Sequence, residues 1–373
     1  MLGAWGWIVC EKGCPGLTAE SRASFPRYTA RMRFIVPHLF PPDRLRDTAA
    51  DGLRLPALET LCARGRMQAG APRSLEAVLG ELFGLGMHDD TPLAPCLLKG
   101  AGIEPGDAWW LRIDPVHLQV RRDSLVPIMG AALEVQGMEA EALRASLAQH
   151  FGPAFSLLGT PDGDWYWRRS APLGLDMPPP SVAAGRAVAV RRGGAALEWQ
   201  KLVNEIQMLL HDHPINLARD AAGQPAINSL WAWGEGRWTA PRAGAAAVYA
   251  DHPLARQLAR GLGAACAAQP AHWDRSLPQS AVLVLDALLE PGQYDDAWAW
   301  RAALQGLERD WFVPLLRARK SFSLEDPQSG GTLHWRPAMA WRVWRRPVPL
   351  ARRAAPPRCP APAPAEDEFG NCC

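Results

Sequence analysis

A short, continuous apolar run, Ala-Val-Leu-Val-Leu at residues 281–285, limits the possible folds of this chain more than any other feature. A strand that is apolar at every position is typical of a central parallel strand covered by helices on both faces. A second run, at 33–36, is expected to form the first strand of the same core. Because parallel neighbours need helical crossovers, these runs predict an α/β fold with a mostly parallel central sheet.

Helical periodicity alternates with these strands. The clearest helix spans 198–210, where apolar residues recur at every third or fourth position. The same spacing predicts further helices at 55–63, 75–85, 137–150 and 297–316. Layers of helices on a sheet follow from this alternation.

The chain divides by composition into a core and two ends. Residues 1–31 lack periodicity and precede Met32, so we expect an N-terminal extension there. A mis-assigned start, with Met32 as the true one, is the favoured interpretation, and a genuine extension is the alternative. The core is expected at 32–346, with a smaller inserted α+β subdomain at roughly 98–195. Residues 347–373 are rich in Ala, Pro and Arg, which predicts a disordered tail.

Net charge and cysteine spacing exclude several classes of protein. The 373 residues include 40 basic and 38 acidic side chains, a net charge of +2, which is not the footprint of a dedicated nucleic-acid binder. The eight cysteines lack the spacing of a disulfide framework or a zinc ribbon, so free thiols are expected. No run approaches the ~20 apolar residues of a membrane span. We therefore expect a soluble, cytoplasmic protein that makes no contact with a membrane.

A histidine cluster, His211-Asp212-His213, follows the clearest helix. Imidazole suits zinc or copper, but a His-x-His pair supplies two ligands where a catalytic zinc needs three. Helix capping by these side chains is the favoured interpretation. The alternative is that His211 or His213 acts as a general base with Glu205 near it.

A second cluster runs from Asn228 to Gly236 and contains Trp231 and Trp233. We expect a strand that ends in a Gly-x-Gly turn, whose backbone amides could approach a phosphate. Glu235 within that turn would repel an anion. The two indoles share one face of the strand, which favours a place in the core.

Arginines form a third cluster at Arg112, Arg121 and Arg122. They could clamp a phosphate or carboxylate with paired N–H donors. An Arg–Asp network at a subdomain seam explains them equally well, and both interpretations stay open.

A basic aromatic stretch lies at residues 341–346, Trp-Arg-Val-Trp-Arg-Arg. Alternating aromatic and basic side chains could contact nucleic acid. A half-buried edge strand explains the alternation more simply and is the preferred interpretation.

These motifs, in this order, resemble the archaeal-type, cofactor-independent phosphoglycerate mutases. The resemblance is carried by 100–107 with Arg112, by 213–216, by 227–236 and by 307–316. The sequence at 36–41, 204–211 and 227–231 is closer still to the bacterial RpfE-type regulatory proteins, a family filed beside these mutases in the alkaline phosphatase superfamily. The resemblance implies an alkaline-phosphatase-like layered α/β sandwich with an inserted subdomain.

Such mutases are expected to hold two divalent metals and a phosphoryl-accepting serine, which falls near Ser74. The Asp, Thr and His positions that follow that serine in the family are Leu75, Glu76 and Val78 here. After the 281–285 strand the two ligand positions are Leu289 and Gln293. Leu and Val cannot ligate a metal, and a neutral Gln is a poor ligand for a hard divalent ion. No metal site is therefore predicted, and no cofactor is implied.

The leading hypothesis is a non-catalytic relative that binds a small anionic ligand or a protein partner in a polar cleft. The side chains expected to line that cleft are Arg112, Arg122, His213, Asn216 and Asn228.

Two alternatives remain beside this hypothesis. One is a metal-independent enzyme that acts on a phosphorylated or anionic small molecule, and the weaker one is a regulator associated with nucleic acid. The candidates for catalysis are Ser74, Glu205, His211 and His213.

Overall fold

The computed structural model describes residues 31–350, with short gaps at 41–44, 46–47, 86–91, 122–123, 189–193, 243 and 245–246. The expected extension at 1–31, apart from Arg31, and the expected tail at 347–373, apart from residues 347–350, lie outside the described residues. Twelve strands are described: β1 Met32–Ile35, β2 Arg66–Ala69, β3 Trp109–Arg121, β4 Ser124–Ile128, β5 Leu157–Gly159, β6 Trp165–Arg169, β7 Ser229–Arg237, β8 Val248–Ala250, β9 Cys266–Ala267, β10 Val282–Val284, β11 Phe322–Asp326 and β12 Gly331–Trp335.

Helices connect and cover these strands. In chain order they are α1 Pro56–Arg64, α2 Leu75–Leu82, α3 Leu93–Gly100, α4 Gly137–Phe151, α5 Pro180–Ala183, α6 Gly194–His211, α7 Pro214–Ala221, α8 Pro253–Leu262, α9 Leu289–Gln293, α10 Ala297–Leu307 and α11 Val313–Ala318. Short 3₁₀ helices span Gly130–Leu133, Gly152–Phe155 and Pro337–Trp341, and a π-helical turn spans Glu308–Phe312.

The large sheet has seven strands in the order β2-β12-β11-β1-β10-β8-β9. Its centre, from β11 to β9, is parallel, whereas β12 and β2 pair antiparallel at one side. β10 lies between β1 and β8, as its fully apolar sequence predicts. The mostly parallel central sheet of an α/β fold is thereby confirmed.

Both faces of this sheet are buried. Phe34 and Leu283 join a core with α1, α10 and α11, while Ile35 and Val284 join a second core with α2, α3 and α8. Successive side chains of a strand point to opposite faces, so both cores need apolar residues at every strand position.

The second sheet is antiparallel and is built around the long strand β3. Its first half pairs with β6 on one side and with β7 on the other, and its second half pairs with β4. Helices α4 and α6 cover one face and form a third core with residues such as Leu143 and Ile206. Because β7 belongs to this sheet, the sheet includes residues well beyond position 195, the expected end of the inserted subdomain.

Proline explains one departure from the predicted helices. The expected single helix at 297–316 is interrupted by the π-helical turn. Pro314 has no N–H to donate to the carbonyl of Asp310, four residues earlier. That carbonyl instead accepts from the backbone N–H of Trp273, at 2.9 Å.

Two further expectations are wrong. Residues 341–346 do not form an edge strand, because the 3₁₀ helix that ends at Trp341 is followed by turns. The expected turn at Gly234–Gly236 is instead part of β7, with a bulge opposite Trp110 and Arg112. At Gly236 a Cβ would come within 2.1 Å of Pro92, so close packing against that residue requires glycine there.

Candidate functional site

The carboxyl edge of the parallel strands is a natural binding position, because open α/β sheets bind ligands where the strand order reverses. β1 lies at such a point, with β10 and β11 on its two sides. Polar residues follow these strands: His38 lies beyond β1, Asp286 beyond β10 and His252 beyond β8, while Asp326 ends β11. This edge is the candidate site.

His38 is fixed in the left-handed region, with φ of +56°. Its N–H donates to Asp326 and its carbonyl accepts from the indole of Trp300, each at 3.0 Å. Its ring packs on the backbone of Gly292, where an added Cβ would come within 2.4 Å of the imidazole. Burial, followed by the charge of Arg186, lowers the pKa of His38 to about 3, so its ring is neutral.

Two imidazole nitrogens at this edge are buried without a hydrogen-bond partner among the described residues, Nε2 of His38 and Nδ1 of His252. Burial lowers the pKa of His252 as well, against the opposing effect of Asp286. A buried polar atom that lacks a protein partner is costly, and a bound water or ligand would relieve that cost. These two nitrogens are therefore candidate contact atoms for a ligand at this edge.

Asp326 has a structural task at the same edge. Its carboxylate accepts from the backbone N–H groups of His38 and Phe40, each at 3.0 Å. Burial raises the pKa of Asp326 to about 6, although these hydrogen bonds oppose the shift. The acidic group therefore ties β11 to the turn beyond β1.

Ser74 and Glu76 lie at the start of α2. The Ser74 hydroxyl, in a residue only 3% exposed, accepts from the backbone N–H of Ala77 at 3.0 Å and so caps the helix. The Glu76 carboxylate accepts from both the backbone N–H, at 2.9 Å, and the hydroxyl of Ser181. Burial raises the pKa of Glu76, with the bonds from Ser181 opposing it.

The residues at the expected metal positions do not fit a two-metal site. Leu75 and Val78 are buried in the second core, and Leu289 packs against it. The amide nitrogen of Gln293 donates to the carbonyl of Pro180, at 2.9 Å. Hard divalent ions need several oxygen ligands, which three apolar side chains cannot supply. Within the described ranges, no group of three or more His, Cys, Asp or Glu is arranged to hold a metal ion.

Arg112 lies in a polar network between the two sheets. Its guanidinium donates to Asp114 at 3.0 Å, to Asp164 at 2.5 Å and to the hydroxyl of Tyr166 at 3.3 Å. Gln257 of α8 also donates to Asp164, at 2.8 Å, which links the second sheet to the large one. Burial alone would lower the pKa of the guanidinium. The two carboxylates and Tyr166 raise that pKa by more than burial lowers it, so the charge is retained.

His213 caps α7, and this geometry fixes its tautomer. Nδ1 accepts from the backbone N–H of Ile215 at 3.2 Å, so the neutral ring carries its proton on Nε2. Nε2 is 2.9 Å from the hydroxyl of Ser146 and donates to it. Burial lowers the pKa of His213, which keeps the ring neutral. In this arrangement His213 cannot take the proton of Ser146 as a general base.

The two asparagines make hydrogen bonds beside the second sheet. Asn216 donates to the carbonyls of Leu210 and Ile227 and accepts from the N–H of Ile227, at 2.8–2.9 Å. Asn228 accepts from and donates to the backbone of Leu118, at 2.7 and 3.1 Å. Both amides thus hold the turn before β7 in place.

The remaining sequence-predicted residues are dispersed. His211 and Glu205 are exposed on α6, and they lie six residues apart, which separates them by about 120° around a helix. Arg121 is exposed at the end of β3, and Arg122 lies outside the described residues. The structure brings none of these three described side chains to the carboxyl edge of the large sheet.

Glu235, expected to repel an anion in a turn, is instead bonded to the segment at 173–175. Its carboxylate accepts from three consecutive backbone N–H groups, those of Leu173, Gly174 and Leu175. Consecutive N–H groups of this kind form an anion-binding concavity. Here the protein's own side chain fills it.

Sequence reasoning missed several residues of these sites. Asp164, Ser181, Arg186 and Gln257 come from segments that show no motif, and only the folded chain brings them to their partners. A lone Asp in a turn, or a lone Gln in a helix, gives no signal of burial. Asp326 could have been suspected, because it ends a strand in which the apolar Phe322 and Leu324 alternate with polar residues.

Comparison with known proteins gives one distant relationship. No protein-family model matches the chain. Over 215 residues the chain is 25% identical to a probable 2,3-bisphosphoglycerate-independent phosphoglycerate mutase of Geobacter sulfurreducens. The aligned region covers 52% of this chain and 51% of the relative. The chain thus spans about half the length of the curated relative it matches.

Two solved structures are similar at low TM-scores. A protein of Pyrococcus horikoshii matches with a TM-score of 0.43 and 14% identity, over 82% of this chain and 87% of the other. The cofactor-independent phosphoglycerate mutase of Thermoplasma acidophilum matches with a TM-score of 0.34 and 17% identity, over 82% and 89%. Separately, no helix among the described residues has the length and apolar character needed to cross a membrane.

Proposed function

We propose that this protein is a phosphoglycerate-mutase-like α/β protein that does not carry out two-metal phosphoryl transfer. It acts instead by binding a small anionic ligand or a protein partner. One observation carries the proposal: the positions expected to hold the nucleophile and metal ligands are occupied by core and capping groups. Ser74 caps a helix, Leu75 and Val78 fill the core, and Gln293 bonds to a backbone carbonyl.

The carboxyl edge of the large sheet is the proposed binding position. Nε2 of His38 and Nδ1 of His252 lack partners among the described residues, and a polar ligand would satisfy them. Arg186 lies beside His38 and adds a positive charge there, although Asp295, 3.2 Å from the guanidinium, offsets part of that charge.

The ligand residues suggested by the sequence stay predictions. Internal hydrogen bonds already engage the polar groups of Arg112, His213, Asn216 and Asn228, which supports a structural role for them. Arg122 remains a candidate on sequence grounds alone.

A regulatory role is part of the proposal. It rests on the resemblance of 36–41, 204–211 and 227–231 to RpfE-type proteins. The proposal also treats residues 32–346 as the mutase-like core, with a subdomain inserted near 98–195. A cytoplasmic location accompanies this role.

A mutase assay with added Mn²⁺ tests the catalytic half of the proposal. We expect no interconversion of 2- and 3-phosphoglycerate above that of a Ser74→Ala control. Turnover that the Ser74→Ala variant abolishes would contradict the proposal.

Calorimetry and thermal shift with phosphoglycerates test the binding half. We expect binding heat that a His38→Asn variant loses, because Asn tolerates the left-handed backbone but lacks the imidazole. No heat and no thermal shift would remove phosphoglycerates as ligands and leave a protein partner.

A further inference from the structure

An exposed aromatic surface lies at the end of the described chain, in residues 336–346, which we call the basic aromatic segment. Trp341 and Trp344 are 75% and 74% exposed, and Val343 between them is 64% exposed. Indoles on this scale of exposure, close together in the chain, are typical of an interaction site rather than of a solvated surface.

The segment is held in place by the folded core. Met339 and Leu350, on either side of the indoles, are both buried in the first core. Arg64 of α1 donates to the carbonyl of Ala340 at 2.9 Å, and Arg342 donates back to the carbonyl of Arg64 at 3.1 Å. These hydrogen bonds fix the backbone that carries the indoles, so less ordering entropy opposes binding.

The surroundings are strongly basic despite the balanced charge of the whole chain. Seven arginines and no Asp or Glu occur between Asp326 and Glu366. Of these, Arg336, Arg345 and Arg346 are exposed within the segment.

The edge of the large sheet adds to this charge. Arg66 begins β2, two residues after Arg64, and is exposed. Burial, followed by Arg66, lowers the pKa of His334 on the neighbouring strand β12; Arg31 and Arg336 add to this shift and Glu325 opposes it. Three arginines and one acid thus act on His334 at this edge.

We propose that the basic aromatic segment binds single-stranded nucleic acid, with bases stacking on Trp341 and Trp344 and phosphates meeting the surrounding arginines. Stacking surfaces within a positively charged track are the common arrangement of proteins that bind single strands. Indoles accept any base, so this binding has little sequence preference.

A hydrated polyanion suits the neighbouring surface better than a lipid bilayer does. At the adjoining sheet edge, Nε2 of His334 lies 3.0 Å from the side-chain oxygen of Gln68, and both groups are polar. Burial of such groups among acyl chains would be costly, whereas phosphates and bases offer them partners.

Fluorescence anisotropy with a labelled oligothymidylate of roughly 20 nucleotides tests the proposal, since single-strand sites span ~4–16 nucleotides per domain. We expect the full chain to bind it, and the Trp341→Ala/Trp344→Ala variant to bind about tenfold or more weakly. The Arg345→Ala/Arg346→Ala variant should lower the slope of log K against log salt by about 1.4, at ~0.7 for each phosphate that an arginine no longer neutralises.

Trp298→Ala is the matched control, because Trp298 is 84% exposed on α10, outside the segment. It should bind as the wild type does, and all variants should keep the wild-type melting temperature. Absence of binding, or equal binding by the Trp341→Ala/Trp344→Ala variant, would overturn the proposal. Binding to vesicles of phosphatidylcholine and phosphatidylserine, with none to the oligonucleotide, would overturn it in favour of a membrane surface.

Discussion

The carboxylate of Asp326, at the end of β11, accepts a hydrogen bond from the backbone N–H of His38, 3.0 Å away beyond the end of β1. The carboxylate also accepts from the N–H of Phe40. An acid at the carboxyl edge of the sheet is thus engaged in holding two strand ends together. Its neighbour His38 is neutral and buried, and Nε2 of its ring lacks a hydrogen-bond partner among the described residues.

Asp326→Asn should change how stability depends on pH. Burial raises the pKa of Asp326 to about 6, above its unfolded value of 3.8. The stability it contributes is therefore present at low pH and lost as pH rises through 6. Urea unfolding should show the deficit of the Asn variant shrinking by about 2 kcal/mol between about pH 4.5 and 7.5, at ~1.4 kcal/mol per pKa unit. A deficit that is constant with pH would show that Asp326 does not titrate in this range.

His38→Asn should have the opposite pH signature. The pKa of His38 falls from 6.5 to about 3 on folding, so stability is lost as pH falls below 6.5. As pH falls from about 7.5 to about 4.5, the unfolding free energy of the wild type should drop by about 3 kcal/mol, and that of the Asn variant should not. Asn tolerates φ of +56°, so the comparison isolates the imidazole. Equal acid sensitivity in the two proteins would contradict a buried neutral ring.

Ser74→Ala should weaken the fold by about 1 kcal/mol, the usual cost of losing a helix N-cap. The Ser74 hydroxyl accepts from Ala77, so the loss falls on α2 rather than on a reaction. Ser74→Thr keeps the hydroxyl and should restore most of the stability in urea unfolding. Unchanged stability in Ser74→Ala, together with loss of a phosphoryl-transfer activity, would identify a nucleophile instead.

Arg112→Met should be strongly destabilising, by about 3–5 kcal/mol, because it leaves buried carboxylates without their cation. Adding Asp164→Asn should recover part of the loss in urea unfolding, since one of those charges is then removed. Arg309→Met is the matched control: it breaks an exposed pair with Asp310 and should barely change the unfolding free energy. A mild effect of Arg112→Met on stability, with loss of ligand binding, would favour the clamp interpretation.

The fold was largely predictable because local sequence patterns encode most of its elements. The apolar run at 281–285 became the central strand β10, and the periodicity at 198–210 became α6. The helix at 297–316 was predicted in extent but not in its π-helical turn, which depends on the missing N–H of Pro314 and on a distant donor, Trp273.

The sites were less predictable because their partners are distant in sequence. Arg112 meets Asp164, 52 residues away, and Asp326 meets His38, 288 residues away. The error at 341–346 has a different cause. Interleaved aromatic and basic residues suggested a strand, but Trp341 and Trp344 lie three positions apart rather than two, and the turns after Trp341 expose both indoles.

The metal content of the purified protein decides whether two-metal chemistry is possible at all. The protein would be incubated with Mn²⁺ and Zn²⁺, freed of loosely held ions and measured by mass spectrometry, beside a Ser74→Ala variant. We predict far less than one ion per chain in both proteins, since Leu75, Val78 and Leu289 supply no ligand atoms. Two tightly held ions per chain would contradict the proposed loss of the metal site and make phosphoryl transfer the function to test.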